Sequence, residues 1–146
     1  MKIIIILSLI ALSILSCEKY ETKISSYSED ESHNNGQNCM SCHVKGGDGE
    51  GRFKVAGSVY EADKTTAYPK ALIELYTGAN GTGTLVESIE VDSKGNFYTT
   101  KDIDFGSGLF PTVTGISSAK KHMSFKVANG SCNSCHGVST DKLWAE

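Results

Sequence analysis

Four cysteines and two histidines fall into one repeated spacing. Cys39-Met40-Ser41-Cys42-His43 and Cys132-Asn133-Ser134-Cys135-His136 each read C-x-x-C-H. Two thiols three residues apart lie on one turn, and the next residue sets an imidazole beside them. That is the spacing by which haem c is attached. The porphyrin carries vinyl groups on neighbouring pyrrole rings, two thiols can form thioethers with them, and the following histidine lies beneath the iron as its proximal ligand. Other chemistries also use paired cysteines, notably disulfide redox sites and zinc knuckles. A zinc unit wants its two knuckles close together, whereas 89 residues separate Cys42 from Cys132. It also leaves His43 and His136 without a role. A thioredoxin-like site wants a βαβ context that this sequence does not offer. The expectation is therefore two haem c groups, held by Cys39, Cys42, Cys132 and Cys135, with a zinc-bound or disulfide-stapled module as the alternative.

The sequence has four histidines. With His43 and His136 as proximal ligands, His33 and His122 remain for the two distal positions, which suits bis-histidine ligation. His33 precedes Cys39 by six residues and lies among Glu29-Asp30-Glu31-Ser32 and Asn34-Asn35, a setting that also suits a solvated loop. His122 precedes Cys132 by ten and competes with Met123, since methionine is also a distal ligand. Residues 121–127 look extended. On a strand, Met123, Phe125 and Val127 would share an apolar face, and His122, Ser124 and Lys126 a polar one. That reading puts Met123 in the core and leaves His122 for a haem. Met40 lies inside its own attachment loop and is a poor candidate.

These residues must be carried by something. At the N-terminus, Met1-Lys2 is followed by the apolar run Ile3 to Leu15, 13 residues long. This is too short for a membrane span and suits a signal-peptide core. It ends in Ile14-Leu15-Ser16-Cys17, which resembles a bacterial lipoprotein signal. The resemblance implies removal of residues 1–16 and acyl chains on Cys17. The chain would be exported and held on a membrane surface, on the periplasmic side or at the cell surface, without a spanning helix. An ordinary cleaved signal or an uncleaved anchor helix is the plainer alternative. Residues 17–38 are polar and serine-rich with no period, and read as a tether.

Formal net charge is −3 and no basic stripe is present, which argues against nucleic acid as a partner. Other exported redox proteins are the expected partners. Glycine is plentiful at 15 residues and proline scarce at 2, as in a chain of many tight turns. Strand candidates are 53–60, 71–76, 84–91, 96–100, 108–114 and 121–127, punctuated by Gly78-Ala79-Asn80-Gly81 and Asp92-Ser93-Lys94-Gly95. Short strands at regular spacing without an amphipathic helix predict a mainly β fold, a small sandwich over 53–127. Its flanks, 39–52 with a Gly-rich linker and 128–146, are the irregular haem-binding segments.

Gly57-x-Val59-Tyr60, Pro69-x-Ala71-x-Ile73-x-Leu75 and Gly95-x-Phe97-Tyr98 resemble the carboxypeptidase-regulatory-like, or transthyretin-like, sandwich, an Ig-like module. The resemblance covers roughly 54–127 and implies a scaffold without catalytic residues. The flanks resemble multihaem c-type cytochromes in their C-x-x-C-H motifs and histidine count. Together these imply an exported dihaem electron carrier rather than an enzyme. The alternative is a haem enzyme or small-ligand binder with one open iron. The strand count bears on where the motifs lie. Six strands would bring the chain in and out at one pole and place the haems together. Seven would separate the poles, leaving the nine residues from Val44 to Arg52, about 30 Å when extended, to close the gap.

Overall fold

Val55-Ala56-Gly57-Ser58 is a run of small and β-branched residues with no charge, and all four are buried. Such a run suits a central strand covered on both faces. In the computed structural model, which describes residues 22–146, it is strand β1 (Val55–Ser58). The signal sequence and Cys17 lie outside the described residues. The other strands are β2 (Leu72–Gly78), β3 (Thr82–Glu90), β4 (Asn96–Thr99), β5 (Phe110–Thr114), β6 (Lys120–His122) and β7 (Gly130–Ser131). They form two sheets, ordered β4-β1-β7 and β3-β2-β5-β6. The protein is mainly β, a small sandwich as the sequence pattern predicts.

The core lies between the sheets. Val55, Val59, Ile73, Leu75, Ile89, Val91, Phe97 and Val113 pack together there, each at most 3% exposed. Burying each such side chain stabilises the fold by about 1.5–3 kcal/mol. Two turns do what their composition demands. Gly78 to Gly81 turns β2 into β3, with Asn80 and Gly81 at φ 55° and 70°. After β3, the Asp92 carboxylate accepts hydrogen bonds from the backbone N–H of Lys94 and of Asn96, both at 2.9 Å, and Gly95 takes φ 83°.

Four expectations differ from what is seen. The segment read as a tether is, from Lys23 on, bound along the sheet. Ile24 bridges Thr99, and Thr100 N–H donates to Lys23 O at 2.8 Å. Ser25 Oγ donates to Glu90 O at 2.7 Å, and the Asn96 amide donates to Ser32 Oγ at 2.9 Å. Serines and asparagines have no hydrophobic period, yet they satisfy the open edge of β4. The stretch 121–127 is not one strand. It leaves the sheet after His122, Phe125 is 59% exposed, and only Val127 returns, bridging Leu109. The alternation argument that placed Met123 in the core therefore fails. The Gly-rich stretch is a folded loop rather than a spanning linker. Gly49 N–H donates to Cys42 O at 3.1 Å and Phe53 N–H to His43 O at 2.9 Å. The C-terminal flank also joins the sandwich. Tyr60 N–H donates to Leu143 O and Ala145 N–H to Tyr60 O, both at 2.9 Å, and Ala145 is buried.

Among the described residues there are seven strands, yet the motifs are neighbours. The pole argument assumes antiparallel neighbours, but β7 runs parallel to β1, with Val55 opposite Gly130 and Ala56 opposite Ser131. In addition, the chain before β1 folds back over it, so that Gly36 N–H donates to Ser58 Oγ at 2.9 Å.

Candidate functional site

Both motifs begin as a single 3-10 turn, Cys39–Ser41 and Cys132–Ser134. A C-x-x-C-H sequence contains no proline or glycine to prevent the turn, and its serine closes it. Ser41 Oγ donates to Asn38 O at 2.7 Å, and Ser134 Oγ donates to Ser131 O at 2.6 Å. The backbone bonds from the fourth and fifth residues to the first cysteine's carbonyl match in the two motifs. His43 N–H donates to Cys39 O and His136 N–H to Cys132 O, both at 3.0 Å.

The histidine rings are held alike. His43 Nδ1 lies 2.7 Å from Glu50 O, and His136 Nδ1 lies 2.9 Å from Asp141 O. A carbonyl oxygen can only accept, so in both rings Nδ1 donates, and in the neutral imidazole this leaves the lone pair on Nε2. A backbone carbonyl on one ring nitrogen is the usual outer partner of a metal-binding imidazole. The first ring is also clamped flat. Phe53 stacks on His43 with centroids 4.1 Å apart, and Tyr98 stacks on Phe53 at 4.6 Å. A Cβ at Gly49 would lie 2.8 Å from the His43 ring, so the loop can close over it only with glycine there.

Each motif faces its own cavity. The first, of about 210 Å³, is lined by Cys39, Cys42, His43 and His33. The His33 and His43 ring centroids are 5.9 Å apart. The second, of about 430 Å³, is lined by Cys132, Cys135, His136, His122 and Met123. His122 Nδ1 lies 2.9 Å from Thr112 Oγ1, whereas Met123 is fixed through its backbone N–H, which donates to Pro111 O. So each histidine singled out in the sequence shares a cavity with the motif that follows it, and Met123 shares one too.

The thiols are free. Burial pushes the Cys132 thiol up to about 12, with Cys39 and Cys135 beside it adding to the effect. Burial likewise raises Cys39, reinforced by the Asp92 charge. These first cysteines are therefore protonated at neutral pH, the reverse of the lowered thiol that a disulfide redox site needs. Among the described residues, no group of three or more His, Cys, Asp or Glu is gathered as a zinc site requires.

What the sequence did not flag is the connection between the motifs. Asn133, the first variable residue of the second motif, is 3% exposed. Its amide nitrogen donates to Gln37 O at 2.9 Å and Ser58 Oγ at 3.1 Å, and its oxygen accepts from Ser58 N–H at 3.1 Å. Ser131 Oγ donates to Asn38 Oδ1 at 2.9 Å. Beneath them, a Cβ on Gly57 would lie 2.6 Å from Phe97 Cζ and 3.0 Å from Cys132 Cβ. A polar residue at a variable position carried no periodic signal. Gly57 was visible only as part of the sandwich resemblance. No family profile matches the chain, and no curated protein or solved structure matches it either.

Proposed function

We propose that the protein is an exported dihaem c-type cytochrome that carries electrons between extracytoplasmic redox proteins. One observation carries this reading most directly. In two places the chain sets a pair of thiols on one turn, an imidazole whose Nδ1 is committed to a carbonyl, and a second histidine around one cavity. Two free thiols on one turn suit addition to the two vinyl groups once the porphyrin is delivered, and an uncommitted Nε2 suits iron. The residues present thus fit haem c at both motifs.

Haem, when bound, supplies one-electron iron chemistry. The chain's own residues do the rest. Cys39 and Cys42, or Cys132 and Cys135, provide the attachment. His43 and His136 are the proximal ligands, kept in one tautomer by Glu50 O and Asp141 O. His33 and His122 are the proposed distal ligands. For the second site, the Thr112 contact supports His122 over its neighbour Met123. Where Nδ1 donates to the Thr112 hydroxyl, His122 presents Nε2 as His43 and His136 do, and the contact orients the ring in either case. With both positions filled by protein, no open iron remains for substrate, which favours transfer over catalysis. The rigid sandwich holds the motifs side by side through Asn133.

The proposed location is the outer side of a membrane, with acylated Cys17 as anchor. Among the described residues no helix is long and apolar enough to cross a membrane. The segment from Lys23 to Asn38 lies along β4 and over β1.

The deciding experiment is a pyridine haemochrome spectrum with intact mass, on protein made in a host with cytochrome maturation. A thioether-type spectrum and the added mass of two haems are expected. Colourless protein carrying zinc or disulfides would overturn the reading.

A further inference from the structure

The two sites are near-copies in backbone but not in surroundings. The first cavity has the rings of Phe53, Phe97 and Tyr98 on one side, and on the other a polar rim with Ser32, Asn34 and the carboxylates Glu31 and Glu50. Lys23 is the lysine on that wall, and it is already paired with Glu50 at 3.4 Å. The second cavity is lined by the core itself, with Ile73, Leu75, Phe105 and Val113 on its wall. Lys121 and Lys142 stand on that wall too, their ammonium groups lying over the Trp144 and Tyr60 rings at 3.4 and 4.3 Å; Lys121 is paired with Glu146 at 2.9 Å, so Lys142 carries most of the positive charge there. Its carboxylate, Asp141, is paired with Lys64 at 2.7 Å.

Ferric haem carries one more positive charge than ferrous haem. Carboxylates and polar groups stabilise that extra charge, while an apolar wall and nearby ammonium groups disfavour it. Both effects act in the same direction here. Resting on the dihaem reading above, we propose that the site at Cys132–His136 has the higher reduction potential. An electron taken up at the Cys39–His43 site therefore runs downhill to it. In balance, a one-electron exported donor protein turns the first iron from ferric to ferrous. Transfer returns that iron to ferric and makes the second ferrous, and a one-electron acceptor protein then removes the electron. No bond is made or broken. The inter-motif contacts at Asn133 and Ser131 keep the two sites adjacent for the step.

The test is a spectroelectrochemical titration of the full protein with both haems in place. Two resolved components are expected. Glu31→Lys, on an exposed side chain, should raise the lower component and leave the higher one in place. Phe105→Asn, on the second wall, should lower the higher component only. Protein with Cys39→Ala and Cys42→Ala, keeping the second motif, should show the higher of the two midpoints. A single unresolved component, or a Glu31→Lys shift in the higher component, would overturn the ordering. Failure of the dihaem reading would look different, since no covalent haem would be present to titrate.

Discussion

The two cysteine–histidine turns share a backbone and differ in what lies behind it. The second rests on the core: Cys132 packs beside Gly57 and Phe97, and Asn133 is buried among β1 and the first motif. The first lies on a loop and a surface-bound segment, with a stack of aromatic rings behind its histidine. Where a motif sits on a strand, the sandwich positions it. Where it sits in a loop, local devices must substitute, here Phe53, the closing glycine at Gly49 and the Glu50 carbonyl. One short sequence pattern is thus held by two different means, and the differences are measurable.

The largest expected difference is thiol reactivity before haem is attached. With its thiol moved from 9.0 to about 12, Cys132 has a thiolate fraction at pH 8 about a thousandfold below that of an unperturbed thiol. Timed alkylation of the haem-free chain, read by peptide mass, should leave Cys132 last, after exposed Cys42 and Cys135. The same shift makes the haem-free fold alkali-sensitive. Below about pH 9 the thiol is protonated folded or unfolded, so stability is unaffected. Between 9 and 12 the unfolded chain gives up the proton first, so stability falls as pH rises. A urea midpoint that stays flat across that window would remove the distinction between the motifs.

Next is Asn133. Asn133→Ala leaves Ser58 N–H and Gln37 O without their partner in a buried place, which costs about 3 kcal/mol. At the matching position of the first motif, Met40→Leu costs under about 1 kcal/mol, because volume is kept and no side-chain hydrogen bond is lost. Equal costs in urea unfolding would show that the second motif does not depend on the core as described.

How much of this was legible in the sequence follows the same division. Strands β1 to β5 were visible because a sandwich core imposes alternation on Ile73, Leu75, Ile89 and Phe97, and because Asp92 and Gly95 must turn. The motif residues were visible because cysteine and histidine are rare and their spacing is chemical. The segment from Lys23 to Asn38 was not, since serine and asparagine bind sheet edges through hydrogen bonds that leave no period. The region from His122 to Val127 misled for the opposite reason. Its alternation imitates a strand, but Phe125 finds no partner sheet and stays exposed. The adjacency of the motifs could not be had from strand counting, because one parallel pair, β1 with β7, undoes the count.

A smaller effect is expected at Gly57. A methyl group there meets Phe97 Cζ at 2.6 Å and the Cys132 Cβ at 3.0 Å, with core on one side and motif on the other. Gly57→Ala should cost about 2 kcal/mol by overpacking. It should also reduce haem attachment at the second motif while sparing the first. Digestion followed by mass spectrometry of the two haem peptides would check this. Equal loss at both motifs would mean that the strain spreads through the sheet rather than staying at the second site.

The smallest expected effect is on Thr112, and it sharpens the comparison most finely. Thr112 is buried, and its hydroxyl lies 2.9 Å from His122 Nδ1. Neither of the other partnered imidazoles relies on a side chain alone, since His43 and His136 are held by carbonyls. Thr112→Val keeps the shape and removes the polar partner, so stability should fall by only about 1 kcal/mol. The ring is then free to turn, and its neighbour Met123 is the sulfur best placed to replace it. The haem-loaded variant should show a methionine–iron charge-transfer band or a high-spin fraction at the second site only, with a raised midpoint in the first case, since methionine raises the potential. Thr112→Ser, which keeps the hydroxyl, should restore the parent spectrum. If Thr112→Val leaves the spectrum unchanged, His122 is not the ligand that Thr112 positions, and the two sites owe their sixth ligands to something other than the matched histidines.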